Sequence, residues 1–374
     1  MAQSGLNMSR RIRRTPYTDR VEKHGVRGFS VVNHMLLPKA FQATMEDDYW
    51  HLSEHVQIWD VSCQRQVELK GRDAAYLAQW MTPRNLSHAL VGQCLYAPLI
   101  DEQAGMINDP VLLKLAEDCY RFSIADSDVL LWTKGLALGA GLEVTVEEPD
   151  VSPLAIQGPK AEALMVKVFG NAIRDIEFFR FAEMEFRGTR QIISRSGYSK
   201  QDGFEIYLDN PRLGGALWDA LWEAGQAYNI APGCPNLIDR MEAGLLSYGN
   251  EMTRDNNPLE CGLARYCQLD RTIEYIGREA LCNVNERGVQ RMIRGLMFDG
   301  GPGPICAKPW PVTAYSPDGP RIGQVTTAAY SPRLQKNIGL SMIERDYWEP
   351  GQRISVLSSD GLYRSGTLSA LPFE

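Results

Sequence analysis

QCLYAPLIDEQAGMINDPVLLKLAEDCYRFSIA, residues 93–125, decides the class of fold. Short runs rich in Leu, Ile, Val, Tyr and Phe are separated by clusters of Asp, Glu, Gly and Pro. QCLYAPLI reads as strand, DEQAG as a turn, and MINDPVLLKLAED and CYRFSIA as further strand, which together make an antiparallel meander. Helical patterns flank it. DYWHLSEHVQ (48–57) reads as a helix running into the short strand IWDVS, and RQVELKG reads as strand. DAAYLAQWM (73–81) reads as a helix with Asp73 as N-cap, Ala74, Leu77, Ala78 and Met81 on one face, and Pro83 as its stop. Beyond the meander, SDVLLWTKGLAL (127–138) is helical in pattern and LEVTVEE is strand. Helices interspersed with antiparallel strands give an α+β class, not a doubly wound sheet.

A second block repeats this plan: VSPLAIQGP, the helix KAEALMVKVFG, two strands in IEFFRFAEMEFRGTRQIISRSG, the strand GFEIYLD and the helix ALWDALWEAGQAY. From Asn283 the helical period fades, Gly and Pro rise in GLMFDGGPGPICAKPWP, and IGQVTTAAY, KNIGLSMI and RISVL alternate as strands. The expected organisation is a region 1–282 of two α+β subdomains that can interleave, and a region 283–374 forming a small β-barrel or jelly roll. A chain of 374 residues exceeds what one core serves, so several packed subdomains are expected.

Composition excludes several function classes. The formal charge of −7 opposes a nucleic-acid partner, since phosphate contacts need a concentrated basic face. The basic cluster Arg10, Arg11, Arg13 and Arg14 is diluted at once by Asp19 and Glu22 and reads as an arm packed on the domain. Eight cysteines include no Cys-x-x-Cys pair, which suits free thiols in a reducing compartment. The opening MAQSGLNMSRRIRRTPYTDR lacks a signal-like apolar stretch, and no run approaches the ~20 apolar residues of a membrane span, so a cytoplasmic location is expected. His51 and His55 share a helix face, but no third ligand accompanies them and no metal is expected. GLALGAG follows a helix, GGPGP lacks backbone donors, and neither a Gly-x-Ser-x-Gly elbow nor a Walker sequence occurs; flavin, nicotinamide and ATP are not expected.

Polar residues set at sharp turns between apolar strands carry the functional signal: WDVS (59–62), AGMIND (104–109), SRSGYSKQDGFEIY (194–207), RMEAGLLSYGNEM (240–252) and GQVTTAAYSP (323–332). In this order they resemble the T-protein family of the glycine cleavage system over nearly the whole chain. VVNHMLLP, HVQIWDVSCQRQVELKG, QWMTPR, GMINDPVLLKL, PDVSPLAIQGPKA and GCPNLIDRMEAGLLSYGNEM resemble, within that family, the branch that demethylates dimethylsulfoniopropionate. The resemblance implies three subdomains in a ring around a central folate channel, with a C-terminal β-barrel. It implies a methyltransferase that takes the sulfonium methyl onto N5 of tetrahydrofolate, giving methylmercaptopropionate and 5-methyltetrahydrofolate. Such a transfer is redox-neutral and asks mainly for positioning in a dry site.

The resemblance also assigns residues. Glu205, on the same strand face as Tyr207, matches the glutamate that accepts from the pterin ring N–H and amine; an exposed strand glutamate is the plain alternative. Asp109 matches the aspartate beside the reactive folate nitrogens, where it would hold the folate and its charge would offset the positive charge developing at N5; a turn aspartate is the alternative. Tyr96 matches a folate-lining aromatic. Arg240 and Glu242 match the helix start at the cofactor, with Arg240 equally suited to a structural ion pair. Asp60 and Ser62 suit fixing of the turn. Two departures stand out: Asn108 replaces the family's first aspartate and Ala104 a glycine, which puts aminomethyl chemistry in doubt and supports a different donor. For a cation beside a carboxylate, Tyr198, Lys200 and Tyr207 are the candidates, with Ser123 and Trp132 behind them. A true T-protein, a folate-dependent amine demethylase and a non-enzymatic folate-binding assembly factor stay open, and a homodimer is compatible with the sequence.

Overall fold

The computed structural model describes residues 9–373. The opening MAQSGLNM, read above for a signal, lies outside the described residues. The chain forms two compact units: one comprises the segment up to Leu77, Ala89–Leu95 and Pro110–Asn236, the other Ala78–His88, Tyr96–Asp109 and the segment from Leu237.

The first unit is built on a six-stranded sheet in the order Phe181–Phe186, Thr189–Ser194, Gly203–Leu208, Ser152–Gln157, Val56–Asp60, Ile230–Gly233. All pairings are antiparallel except the last, which is parallel. Helices Ala161–Phe169 and Gly214–Gly225 bring Leu164, Met165, Leu217, Trp218 and Leu221 onto Leu154, Ile156, Ile193, Phe204 and Ile206. A five-stranded sheet takes the order Thr145–Glu147, Gln66–Lys70, Cys119–Ser123, Val111–Ala116, Cys94–Tyr96. The α+β reading therefore holds, and the C-terminal barrel exists: Arg291–Phe298, Lys336–Glu344, Arg321–Ser331, Trp310–Ala314, Arg353–Leu357 and Tyr363–Ser369 close on themselves around Leu296, Phe298, Trp310, Val312, Ile322 and Val356.

Three local expectations are corrected. The meander is not continuous: QCLYAPLI breaks into Cys94–Tyr96 and Leu99–Ile100, and MINDPVLLKLAED into Met106–Asn108 and Val111–Ala116. Leu99–Ile100 and Met106–Asn108 form a separate two-stranded hairpin. The breaks fall at Pro98 and Pro110, which have no N–H to give a ladder. The helix expected over 48–57 is Met45–Glu54, started by a Thr44/Asp47 capping box, because the fully buried run from Val56 is taken by a strand. Asp73 does stand at the N-cap position of the helix Ala74–Trp80, its carbonyl accepting from the Leu77 N–H (2.9 Å), but its carboxylate accepts from the Glu143 N–H (2.8 Å).

The arginine arm packs as expected, Arg13 on Glu148 (2.7 Å) and Arg14 on Asp19 and Glu22. The His51–His55 pair is engaged, with Gln57 Nε2 3.5 Å from His51 Nδ1 and Lys160 Nζ 2.7 Å from His55 Nδ1. All eight cysteines are free thiols. Among the described residues no helix is long and apolar enough to cross a membrane.

The glycines of the SRSGYSKQDGFEIY segment have a definite task. The amide of fully buried Gln157 donates to Ser196 O (3.2 Å) and accepts from Ser199 Oγ (2.7 Å), pinning the 195–202 loop. A Cβ at Gly197 or Gly203 would sit 2.2 or 2.1 Å from that amide. Gly203→Ala is expected to destabilise the protein by about 2 kcal/mol, since Gln157 must leave both partners to make room. Denaturant unfolding checks this; an unchanged midpoint would mean that Gln157 swings aside freely.

Candidate active site

In the first unit Glu205 lies on an inner strand of the six-stranded sheet, opposite Ala155 and Ser194. Its neighbours Phe204, Ile206 and Leu208 enter the helix-side core, so the period of two sends Glu205 and Tyr207 to the other face. Glu205 is 6 % exposed. Its Oε2 accepts from Ser196 Oγ (2.5 Å) and, at 3.4 Å, from the Tyr207 hydroxyl, while Ser194 Oγ lies 2.6 Å from Ser196 Oγ. Among the described residues Oε1 takes no hydrogen bond. Burial without a cation pushes the Glu205 carboxyl above the usual range, against the opposing effect of the two hydroxyls. Burial and then the Glu205 charge push the Tyr207 phenol up as well.

Ser123 joins this cluster: it accepts from Gln66 Nε2 (3.0 Å), and its hydroxyl and that of Ser194 interact with the Tyr207 phenol. Tyr198, half-buried, and Lys200, exposed, sit on the Gln157-pinned loop. Trp132 is half-buried on the helix Val129–Gly139, and among the described residues no hydrogen bond or ring contact links it to Glu205, Tyr207 or Ser123. Asp60 Oδ1 accepts from Ser62 N (3.2 Å) and Oγ (2.8 Å), fixing the WDVS turn.

In the second unit the hairpin presents Asn108 and Asp109. Its turn is organised by Asp101, whose Oδ1 accepts from the N–H groups of Gln103 (3.0 Å) and Gly105 (2.8 Å), and Ala104 takes a left-handed φ of 68° where the family carries glycine. The Tyr96 hydroxyl donates to Asp109 Oδ2 at 2.9 Å, and the Asp109 N–H donates to Asn108 Oδ1 at 3.0 Å. Burial pushes the Asp109 carboxyl up to about 7, the Tyr96 hydrogen bond pulling the other way. Tyr96 and Asp109 are thus one hydrogen-bonded pair.

Arg240 belongs to a different arrangement. It forms a two-pronged ion pair with Glu251 (Nη1–Oε2 3.0 Å, Nη2–Oε1 3.2 Å) and donates to Leu245 O (2.9 Å). Glu251, buried and missed in the sequence, also accepts from Ser247 N (2.7 Å) and from Thr327 Oγ1. Glu242 accepts from Ser331 Oγ (2.6 Å) and Arg333 Nε (2.7 Å). The RMEAGLLSYGNEM and GQVTTAAYSP motifs meet here, Thr327 and Ser331 of the second donating to Glu251 and Glu242 of the first.

Two further arginines and a tyrosine were not singled out. Arg84 Nη1 donates to Tyr96 O (2.7 Å), the Tyr96 and Tyr266 rings lie 5.0 Å apart, and the Arg84 and Arg265 guanidiniums lie 5.2 and 4.7 Å from the Tyr266 centroid. QWMTPR contained the only hint, an arginine straight after a helix-stopping proline.

Chemically, each unit offers a poorly compensated carboxylate flanked by hydroxyls and aromatic rings. Such carboxylates suit N–H donors of a neutral heterocycle, or a positive charge that develops during reaction.

Comparison with known proteins agrees with this architecture. Residues 17–271 match the GCVT N-terminal domain, and residues 291–373 match the glycine cleavage T-protein C-terminal barrel domain. The chain is 48 % identical over 354 residues, 95 % of each chain, to the dimethylsulfoniopropionate demethylase DmdA of Ruegeria pomeroyi. It is 33 % identical over 318 residues, 82 % of this chain and 83 % of the relative, to an aminomethyltransferase of Caldanaerobacter subterraneus. The crystal structure of the glycine cleavage aminomethyltransferase T from Bartonella henselae superposes with a TM-score of 0.85 at 23 % identity, covering 97 % of this chain and 98 % of that one, so the fold is shared. With both domains matched along the chain, this protein belongs to the glycine cleavage T-protein family.

Proposed function

We propose that this chain is a tetrahydrofolate-dependent methyltransferase that demethylates dimethylsulfoniopropionate. The observation that carries the reading is the 48 % identity with a demethylase of that substrate over 95 % of both chains. Asn108 in place of the family's first aspartate supports it, because a carboxylate associated with aminomethyl chemistry is gone while its neighbour Asp109 stays.

The two carboxylates fit the co-substrate. Glu205 keeps Oε1 for the N–H donors of the pterin edge, and Ser196 and Tyr207 hold its other oxygen in place. Asp109, oriented by Tyr96, supplies negative charge where the folate nitrogen becomes cationic. Tyr207, Tyr198 and Lys200 remain the candidates for the donor, with Ser123 setting the Tyr207 hydroxyl and Trp132 an outlying aromatic. Arg240 supports the Glu251 network. The reaction balances without an oxidant: the C–S bond breaks with its electron pair left on sulfur, a C–N bond forms from the nitrogen lone pair, and the nitrogen loses a proton.

The test is an anaerobic assay with tetrahydrofolate and dimethylsulfoniopropionate, following 5-methyltetrahydrofolate, with glycine betaine and dimethylglycine as comparison donors. Product from the sulfonium alone is expected. Folate binding without product from any of the three, or folate-dependent ammonia release from an aminomethyl-lipoyl carrier instead, would reject the demethylase reading.

A further inference from the structure

Within the second unit, Arg84 and Arg265 share one ring without a carboxylate between them. Among the described residues neither forms an ion pair, whereas Arg240, Arg254 and Arg291 of the same unit pair with Glu251, Asp101 and Glu260. Arg84 is half-buried, and burial first, then the Arg265 charge, lowers its proton affinity. A half-buried guanidinium with a second, exposed one beside it lacks the counter-charge that an anion would supply.

Arg84 is also held rigidly. Its N–H donates to Thr82 Oγ1 (3.2 Å), its carbonyl accepts from Gln79 Nε2 (2.9 Å), and Thr82 Oγ1 donates to Pro98 O (2.6 Å). Of its guanidinium, only Nη1 makes a hydrogen bond among the described residues, to the carbonyl of Tyr96. The rest of the planar fork is free for a carboxylate, which guanidinium geometry matches in two-pronged fashion. Tyr96 in turn holds Asp109. A carboxylate at Arg84 is therefore bound one residue away from the group assigned to charge stabilisation.

We infer that Arg84 and Arg265, gathered on Tyr266 beside Tyr96, form a carboxylate-binding site that takes the acidic group of a ligand of this reaction. The inference rests on the functional reading above. Two ligands bring that chemistry, the propionate of the sulfonium donor and the glutamyl tail of the folate. Three probes separate them: dimethylsulfoniopropionate, tetrahydrofolate with one or three glutamyl residues, and tetrahydropterin without the tail. Each is titrated calorimetrically, without oxygen, into wild type, R84Q, R84K and R265Q at two salt concentrations.

The expected result is a Kd raised about tenfold or more in R84Q for the carboxylate-bearing ligand. R265Q should give a smaller rise that fades at high salt, R84K should recover part of the affinity, and binding of tetrahydropterin should not change. A loss confined to the sulfonium assigns the site to the donor; a loss that grows with glutamyl number assigns it to the folate tail. R265Q alters an exposed side chain and keeps the question answerable where R84Q fails to fold. Equal weakening of tailed folate and tail-less pterin would overturn the inference, leaving Arg84 a prop for Tyr266, as would wild-type affinities in both R84Q and R265Q. If the wild-type protein binds neither folate nor sulfonium, the functional reading falls, which is a different outcome.

Discussion

Asp109→Asn is expected to lower kcat about 10²–10³-fold while the KM for tetrahydrofolate changes little, the loss typical of removing one preorganised electrostatic stabiliser. Asn keeps the shape and can still accept from the Tyr96 hydroxyl, so the Tyr96–Asp109 geometry survives and only the charge goes. The pH dependence supplies an independent mark. With the Asp109 carboxyl at about 7, the ionised form that opposes a developing cation is depleted on the acid side. The wild-type rate should fall about tenfold per pH unit below 7 and level off above it, and the Asn variant should lose that limb. Stability should move the other way. A carboxyl whose value is higher folded than unfolded gives stability that is complete below the unfolded value, near 3.9, and is lost as pH rises toward about 7. The Asn variant avoids this loss, so its Tm at pH 8 should equal or exceed that of wild type. Activity within threefold of wild type, or an acid limb that persists, would remove Asp109 from the chemistry.

How far the sequence foretold this site follows from the range over which its signals act. Glu205 was legible because SRSGYSKQDGFEIY resembles the family's pterin-binding segment, while the period of two in GFEIYL set only the face it shares with Tyr207 and left its burial unread. Asp109 was legible through the resemblance of AGMIND to the family's turn, whereas the Asp and Gly spacing of DEQAG announced only the turn itself, which the Asp101 hydrogen bonds realise. The breaks at Pro98 and Pro110 were legible in principle, since proline cannot extend a ladder, but the apolar runs around them read more strongly. The parallel strand Ile230–Gly233 was not, because its partner Val56–Asp60 is remote in sequence and pairing leaves no periodic trace. For the same reason nothing brought Arg84, Arg265 and Tyr266 together: a residue after a helix stop and two on a single 3₁₀ turn share no period, and only the fold makes them neighbours. Glu251 stood inside a quoted motif, yet its pairing with Arg240 depends on burial, which spacing alone does not give.

Glu205→Gln should raise the Kd for tetrahydrofolate about 10²-fold without weakening the fold, and the two halves of that result test different links of the argument. Binding suffers because an amide presents one acceptor oxygen and one N–H₂, so hydrogen bonds to a charged acceptor, worth about 1.5–3 kcal/mol each, are replaced by a weaker bond or a donor facing a donor. Stability does not suffer because the folded protein already disfavours the charge: Glu205 is buried, hydroxyls are its only hydrogen-bond partners among the described residues, and its carboxyl is pushed above the ordinary range. By the same sign argument, the wild-type protein loses stability as pH rises through that raised value, and the Gln variant has no such group to ionise. The Tm difference, variant minus wild type, should be near zero at pH 4 and zero or positive at pH 8, in protein without folate. A site maintained for structure gives the opposite pattern, in which Gln breaks the Ser194–Ser196–Glu205 chain, lowers the Tm at both pH values and leaves the residual folded protein with its folate affinity intact. The predicted separation, affinity lost and fold kept, is what a carboxylate held ready for a ligand must show, because the energy set against burying it is recovered only when the ligand's N–H donors arrive.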